Sequence, residues 1–428
     1  MRPGRPDDAR RVALGTALIG TAAFVLLAMA RVPWEPVPGG LPDPVSASSV
    51  FTPEQVERAE SFSRWARTWS WSSLAVSLAV ACWLGFSRRG RALAGAARGP
   101  WWVRVVLVVA ALTLIGRVVT LPFGIALRQL RLDAGLATGS WAQWTADLAK
   151  GELVAIATTS LALVALVGCA RRWPRAWPAV AGTGLAALVV AGSFAYPLLV
   201  EPLFNRFEPL EAGSLRSSVL ELAEEEGVEV DEVLVADASR RTTTLNAYVS
   251  GFGHTRRVVL YDTLVEDSPE DEALSVVAHE LAHAGHADVV TGTALGAAGA
   301  LVGIGLLGLL LPGRGGRSTG GDGVSDVGRV EAVPRVLALA AVATLLASPL
   351  QNGISRQLEL RADQTALEAT DAPQSFVALQ RRLALRSRAD PTPPAWSQWW
   401  FGSHPTVLER IALAGVDVVT SPPSRRGR

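Results

Sequence analysis

Seven apolar runs divide the chain, near residues 12–32, 69–87, 102–127, 151–170, 177–200, 289–312 and 333–354. A helix needs about 20 residues to cross a hydrocarbon core, so these runs predict seven membrane spans. Tryptophans mark their ends at Trp71, Trp83, Trp101, Trp102, Trp173 and Trp177, where an amphipathic ring suits the headgroup level. The first run follows Arg2, Arg5, Arg10 and Arg11 in the manner of a secretory leader. Its length and the lack of a small-residue cleavage pattern predict an uncleaved anchor instead.

The polar stretch 201–288 reads as a water-facing α+β unit. Leu215 to Glu226 has helical spacing and ends at Gly227. Val228 to Val235, Leu245 to Phe252 and Arg257 to Leu264 are rich in β-branched and aromatic residues and predict strands. The last two form a hairpin around Gly253 and His254. Ser268 as N-cap, Pro269 at the first helical position and the acids Glu270 and Asp271 then announce a helix. Gly313 to Gly323 predicts a flexible linker without a catalytic role, Glu359 to Arg386 has helical periodicity, and Ser421 to Arg428 predicts a disordered tail. The expected organisation is a five-span membrane domain (1–200), the water-facing unit (201–288), two further spans (289–354), a C-terminal helical part (355–420) and the tail (421–428). No internal repeat of fixed period is present.

Composition excludes a soluble globule. Of 428 residues, 49% are hydrophobic and 18% charged, which would leave a globule with too much apolar surface. The fold class is therefore a mostly α-helical polytopic membrane protein whose first partner is the lipid bilayer. A net charge of +1 without a clustered basic face predicts no nucleic-acid partner. Cys82 and Cys169 lie inside apolar runs and read as small buried hydrophobes. The Ala-, Gly- and Arg-rich composition suggests a bacterial cell membrane. Arginines crowd the N-terminal tail, the Ser87–Pro100 loop and the Arg171–Arg175 loop, and the positive-inside rule places those ends in the cytoplasm and 201–288 outside.

The candidate chemistry starts at His279-Glu280-Leu281-Ala282-His283, an HExxH pattern. Residues four apart share a helix face, so both imidazoles can reach one metal while Glu280 reaches a water on it as general base. Only five histidines occur in the chain, which argues against coincidence. A metzincin would place its third histidine at position 289, which is Val289. Glu359, in Ser355 to Asp363 (SRQLELRAD), is the better candidate for a third ligand. Asp363, one turn further on, can fix the tautomer of a ligating histidine. Taken alone, that charge pattern equally fits a solvated amphipathic helix.

HELAH followed by SRQLELRAD resembles the membrane-integrated gluzincin metallopeptidases that include the type I CAAX prenyl endopeptidases and the heat-shock protease HtpX. Trp141 to Lys150, Glu201 to Leu210, Asn246 to Phe252, Val258 to Leu264 and Ser403 to Ile411 resemble the CAAX branch. The likeness implies one zinc per chain at His279, His283 and Glu359, with Glu280 as base and Asp363 and Arg356 in support. It implies that His404 and Arg410 face the tetrahedral intermediate, and that an edge strand carrying Asn246, Ala247 and Tyr248 binds extended substrate. The plain alternatives are a loop histidine at 404 and an ordinary strand at 246–252. Ala282 stands where eukaryotic CAAX members have glycine, and Asp288 stands where they carry histidine; His286 receives no role. The implied function is a zinc endopeptidase acting on peptides or membrane proteins, by CAAX-like processing or HtpX-like quality control. A transporter and an inactive scaffold are the other readings. The likeness also implies a cytoplasmic catalytic unit, opposite to the arginine pattern, and the orientation stays open.

Overall fold

Among the described residues, seven helices are long and apolar enough to cross a bilayer. In chain order they are Asp7–Arg31, Pro53–Phe86, Trp101–Asp133, Trp141–Arg172, Trp177–Leu199, Asp288–Leu310 and Val333–Thr370, called spans one to seven below. The computed structural model describes residues 7–251, 253–311 and 326–416. The expected linker at 313–323 and tail at 421–428 lie outside the described residues, as does Phe252.

All seven predicted runs are helical, but several helices run well past their apolar part. Span two begins at Pro53, where Thr52 accepts the Gln55 N–H in a capping box. The cap, not the hydropathy, sets that end. Spans one and six pack antiparallel through small residues. A Cβ added to Gly305 would meet the Ala17 backbone nitrogen at 2.5 Å, and one added to Gly20 would meet the Val302 nitrogen at 2.8 Å. Such close approach is how helices associate where lipid offers no hydrophobic gradient. Within the membrane, Arg117 on span three donates to Glu152 on span four at 2.6 Å. Each charge has an opposite partner, as intramembrane ionisable groups require.

Span seven matters most for the site. Its 38 residues extend about 57 Å, well beyond the roughly 30 Å hydrocarbon core. The excess projects from the membrane domain and carries Glu359 against the catalytic unit. The segment expected as one helix from Glu359 to Arg386 is two. Span seven ends at Thr370, Asp371 adopts a left-handed φ of 44°, and a new helix runs Pro373–Ser387. Pro373 disfavours helical geometry in the residue before it.

The catalytic unit holds a four-stranded sheet of order β1-β2-β4-β3. Its strands are β1 (Phe207–Pro209), β2 (Glu232–Ala236), β3 (Ala247–Ser250) and β4 (Arg257–Tyr261). β2 and β4 run parallel, and the other pairs are antiparallel, including the expected β3–β4 hairpin. Three of the expected strands are shorter than their apolar runs. Val228 instead closes the preceding helix, Ser214–Glu225, by donating to Ala223 O at 2.8 Å. Leu264, expected in a strand, is buried in a short helix, Asp262–Asp267. β1, three residues ending in proline, carries too little pattern to be read in advance. The HExxH helix, Glu270–Gly285, has Pro269 in the N-cap position, so the cap expected at Ser268 does not form. Ala273, Val277 and Leu281 on this helix pack with Val219, Val258 and Leu260 in one core.

Gly305→Ala is expected to lower the detergent unfolding midpoint, reflecting about 1–3 kcal/mol of overpacking. Gly303→Ala, with nothing within 4 Å, should leave the midpoint unchanged or slightly raised.

Candidate metal centre and active site

The HExxH helix forms because buried apolar residues recur along one side while Glu270, Asp271 and Glu272 complement the dipole of its first turn. Glu272 is itself buried and is held by Arg382, whose Nη2 donates at 2.9 Å. One turn apart near the end of this helix, His279 and His283 bring their Nε2 atoms to 3.2 Å, with the rings at 89°. From span seven, Glu359 places Oε2 3.3 Å from His279 Nε2 and Oε1 3.6 Å from His283 Nε2. Glu359 Oε2 is buried and has no hydrogen-bond partner.

Behind each imidazole stands an aspartate, and behind each aspartate an arginine. Asp363, wholly buried, lies 2.9 Å from His279 Nδ1. Arg410 donates to it from two nitrogens, Nε at 2.7 Å and Nη2 at 2.5 Å. Asp288 lies 2.8 Å from His283 Nδ1 and also accepts from Arg361. A carboxylate at Nδ1 holds the proton on that nitrogen and turns the Nε2 lone pair outward. Two lone pairs and a carboxylate then converge with no donor between them, and this set fits a metal cation. Among the described residues, His279, His283 and Glu359 form the cluster able to hold one. Without a metal the cluster takes up a proton. Burial opposes charge on His283, but Asp288 and Glu359 outweigh it and push its pKa to about 10.

Glu280 points into a cleft of about 440 Å³ that His279, His283, Glu359 and His404 also line. Burial raises its pKa above the usual carboxylate value, against the pull of the two histidines. His404 Nε2 lies 3.4 Å from Glu359 Oε1, and its Nδ1 lies 2.9 Å from Ser403 Oγ. Arg356 does not reach the carboxylates. It donates to Gln398 O and Gly402 O, at 3.3 and 2.6 Å, and so clamps the loop leading to His404. Two nitrogens of Arg410 are taken by Asp363, which places this arginine behind His279. Asn246, Ala247 and Tyr248 border the same cleft, and β3 is the terminal strand of its sheet. The ring of Tyr248 meets Tyr261 edge-on at 6.5 Å, on the sheet face opposite the one where Ala247 packs toward the HExxH helix.

The model of peptidase family M48 matches residues 209–415, and that of the CAAX prenyl protease N-terminal region, five membrane helices, matches residues 42–206. The uncharacterized metalloprotease YhfN of Bacillus subtilis is 30% identical over 317 residues, covering 73% of this chain and 74% of that protein. The chain belongs to peptidase family M48. CAAX prenyl protease 1 of Saccharomyces cerevisiae is 43% identical over 88 residues, 20% of this chain and 19% of that protein. The homologue from Oryza sativa is 46% identical over 89 residues, 21% of each chain. These local matches span only about a fifth of either plant or yeast relative. The crystal structure of S. mikatae Ste24p matches with a TM-score of 0.70 at 20% identity, over 97% of this chain and all of that one, and so shares the fold. The protein is a membrane-integrated metalloendopeptidase of family M48.

Two residues of this M48 site escaped the sequence reading, Asp288 and Arg361. Asp288 follows His283 by five positions, which on a continuous helix would put it on another face. The HExxH helix instead ends at Gly285, Ala287 turns left-handed with φ 56°, and Asp288 opens span six. That turn swings its carboxylate back onto His283. Asp288 occupies the position flagged as a departure from the eukaryotic pattern, and that departure was the available signal.

Asp288→Asn is expected to weaken metal affinity by about 10- to 100-fold, as measured by competition with a chromophoric chelator. Metal uptake must expel the proton that His283 holds below about pH 10. Apparent affinity should therefore fall as pH falls, by about tenfold per unit for each proton displaced. A flat profile between pH 8 and pH 6 would show that the free site carries no such proton.

Proposed function

We propose that this M48 chain is a zinc endopeptidase in which His279, His283 and Glu359 hold the metal and Glu280 is the general base. The carrying observation is the convergence of three acceptor groups with no donor among them, each imidazole backed at Nδ1 by a carboxylate. The two Nε2 atoms lie 3.2 Å apart, with Glu359 Oε2 3.3 Å from one and Oε1 3.6 Å from the other, spacings that support one small cation such as zinc. Tetrahedral coordination at about 2.0–2.1 Å sets ligand atoms roughly 3.3 Å apart.

When bound, zinc supplies Lewis acidity to the scissile carbonyl and to a water whose pKa it lowers toward about 7. Glu280 takes the proton of that water as it attacks, then delivers it to the leaving amine. Its raised pKa makes it a stronger base than an exposed glutamate and keeps the returning proton available. Ser403 Oγ lies 2.9 Å from Nδ1 of His404; in the tautomer with Nδ1 accepting, the Nε2–H is left to meet the oxyanion that develops in the cleft. Arg410 acts through Asp363 to hold His279 in register. Water is the nucleophile in this scheme, so no covalent acyl-enzyme forms.

Substrate lies extended along the edge of β3 at Asn246, Ala247 and Tyr248, where unpaired backbone groups bind many sequences alike. The names of the yeast and plant relatives support CAAX-like processing. A broader action on membrane proteins, as in quality control, uses the same edge and chemistry. A bacterial cell membrane agrees with the composition and with the long match to the Bacillus protein.

Detergent-purified protein should contain about one zinc per chain by atomic spectroscopy. It should cleave a fluorogenic peptide, prenylated or not, and lose that activity to a chelator. Glu280→Gln should keep the zinc and lose about 10²- to 10⁴-fold in kcat. Zinc-free protein, prepared without chelator, or a fully active Glu280→Gln would defeat the assignment.

A further inference from the structure

Span seven carries a proline inside its apolar run, Pro349. Proline has no N–H, so the carbonyl four residues earlier, that of Leu345, loses its donor in the helical ladder. Within a membrane span a carbonyl freed in this way is satisfied by a neighbouring group. Here the neighbour comes from near the far end of the chain: the indole Nε1–H of Trp400 donates to Leu345 O at 3.3 Å. Trp400 lies on the short helix Ala395–Phe401, just before the loop that carries His404.

Span seven holds this short helix at further points. Asn352 Nδ2 donates to Trp400 O at 2.6 Å, and Arg356 Nη1 donates to Gln398 O and Gly402 O. Leu345, Pro349, Asn352, Arg356, Glu359 and Asp363 follow one another at intervals of alternately four and three residues, so they form a single stripe along one face of the helix. The stripe runs from the interrupted ladder, past the holds on the short helix, to Glu359 and Asp363. From the other side, Trp71 of span two meets the rings of Trp396 at 4.8 Å and Phe401 at 5.8 Å. The short helix is thus wedged between spans two and seven, and Trp400 is the side chain that enters the ladder.

His404 depends on such a fixture. Its side chain is 59% exposed, so packing around the ring does little to place it. Its backbone is held instead, because Gln398 on the short helix donates from Nε2 to His404 O at 2.6 Å. We infer that Trp400 is a positioning residue: its indole N–H completes the hydrogen-bond ladder of span seven at Pro349 and so sets the His404 loop against the helix face that presents Glu359. The part played in the ladder stands on the hydrogen bonds alone. The part played in the reaction rests on the peptidase reading, in which His404 meets the oxyanion.

Trp400→Phe removes the N–H and keeps an aromatic ring. In the zinc-loaded, detergent-purified full chain it should lower the unfolding midpoint. Pro349→Ala gives Leu345 O a backbone donor, so adding Trp400→Phe to that variant should lower the midpoint no further. With a fluorogenic peptide, Trp400→Phe should reduce kcat about 2- to 10-fold and leave KM and zinc content unchanged. On a His404→Ala background the same substitution should leave the residual kcat as it is, since the two residues act in one chain of contacts. Asn352→Leu, which frees Trp400 at its carbonyl, serves for the kinetic comparison if Trp400→Phe does not accumulate. Equal midpoint losses with and without Pro349→Ala would overturn the ladder assignment. A kcat untouched by Trp400→Phe, or lowered equally on the His404→Ala background, would overturn the positioning role. Midpoints are read without turnover, so a zinc-loaded chain that cleaves no peptide would count against the peptidase reading while the ladder is still decided by the midpoints.

Discussion

Two aspartates held between an arginine and an imidazole control the geometry of this site. Asp363 joins Arg410 to His279, and Asp288 joins Arg361 to His283. Burying a carboxylate is unfavourable unless it is paired and hydrogen-bonded, and each arginine satisfies that condition. Asp288 hydrogen-bonds Nδ1 of His283, and Asp363 lies at ion-pair distance from Nδ1 of His279, which favours the Nδ1–H tautomer of each ring. Without them the Nε2 lone pairs would have no reason to face each other at 3.2 Å, and no cation site would exist.

These supports do not come from the catalytic unit alone. Asp288 is the first residue of span six, while Glu359, Arg361 and Asp363 lie on the extension of span seven. Arg410 arrives from a short C-terminal helix, Val407–Leu413, closed by a capping box between Thr406 and Glu409. The membrane domain therefore supplies one candidate metal ligand and both buried aspartates. A shift of span seven along its axis would move Glu359 and Asp363 together, so helix packing within the bilayer and metal geometry outside it are one mechanical problem.

The cleft has two unlike walls. One is the HExxH helix with its buried, base-raised Glu280. The other is the terminal strand β3, whose outer edge is free of strand partners among the described residues. Facing them is the loop carrying His404, which Arg356 clamps from span seven. A backbone-reading edge beside a fixed cation site suits hydrolysis of many extended sequences.

Much of this was written in local patterns. The apolar runs announced seven spans because hydrophobic length is a one-dimensional property. The HExxH spacing put two histidines on one face because helical periodicity is local. The β3–β4 hairpin was visible in its residue types. Helix ends were read less well, since they depend on caps such as Thr52 and breaks such as Ala372-Pro373 that hydropathy does not register. The role of Asp288 was hidden, because only the left-handed turn at Ala287 brings a carboxylate five residues away back onto His283. Arg356 stood in the motif segment and Arg410 was singled out by resemblance alone, yet their partners lie 46 and 47 residues away in the chain, at Gly402 and Asp363. The sequence by itself determined the membrane class and the chemical groups of the centre. Only the tertiary structure decided which carboxylate answers which imidazole, because that depends on how spans six and seven pack against one catalytic helix.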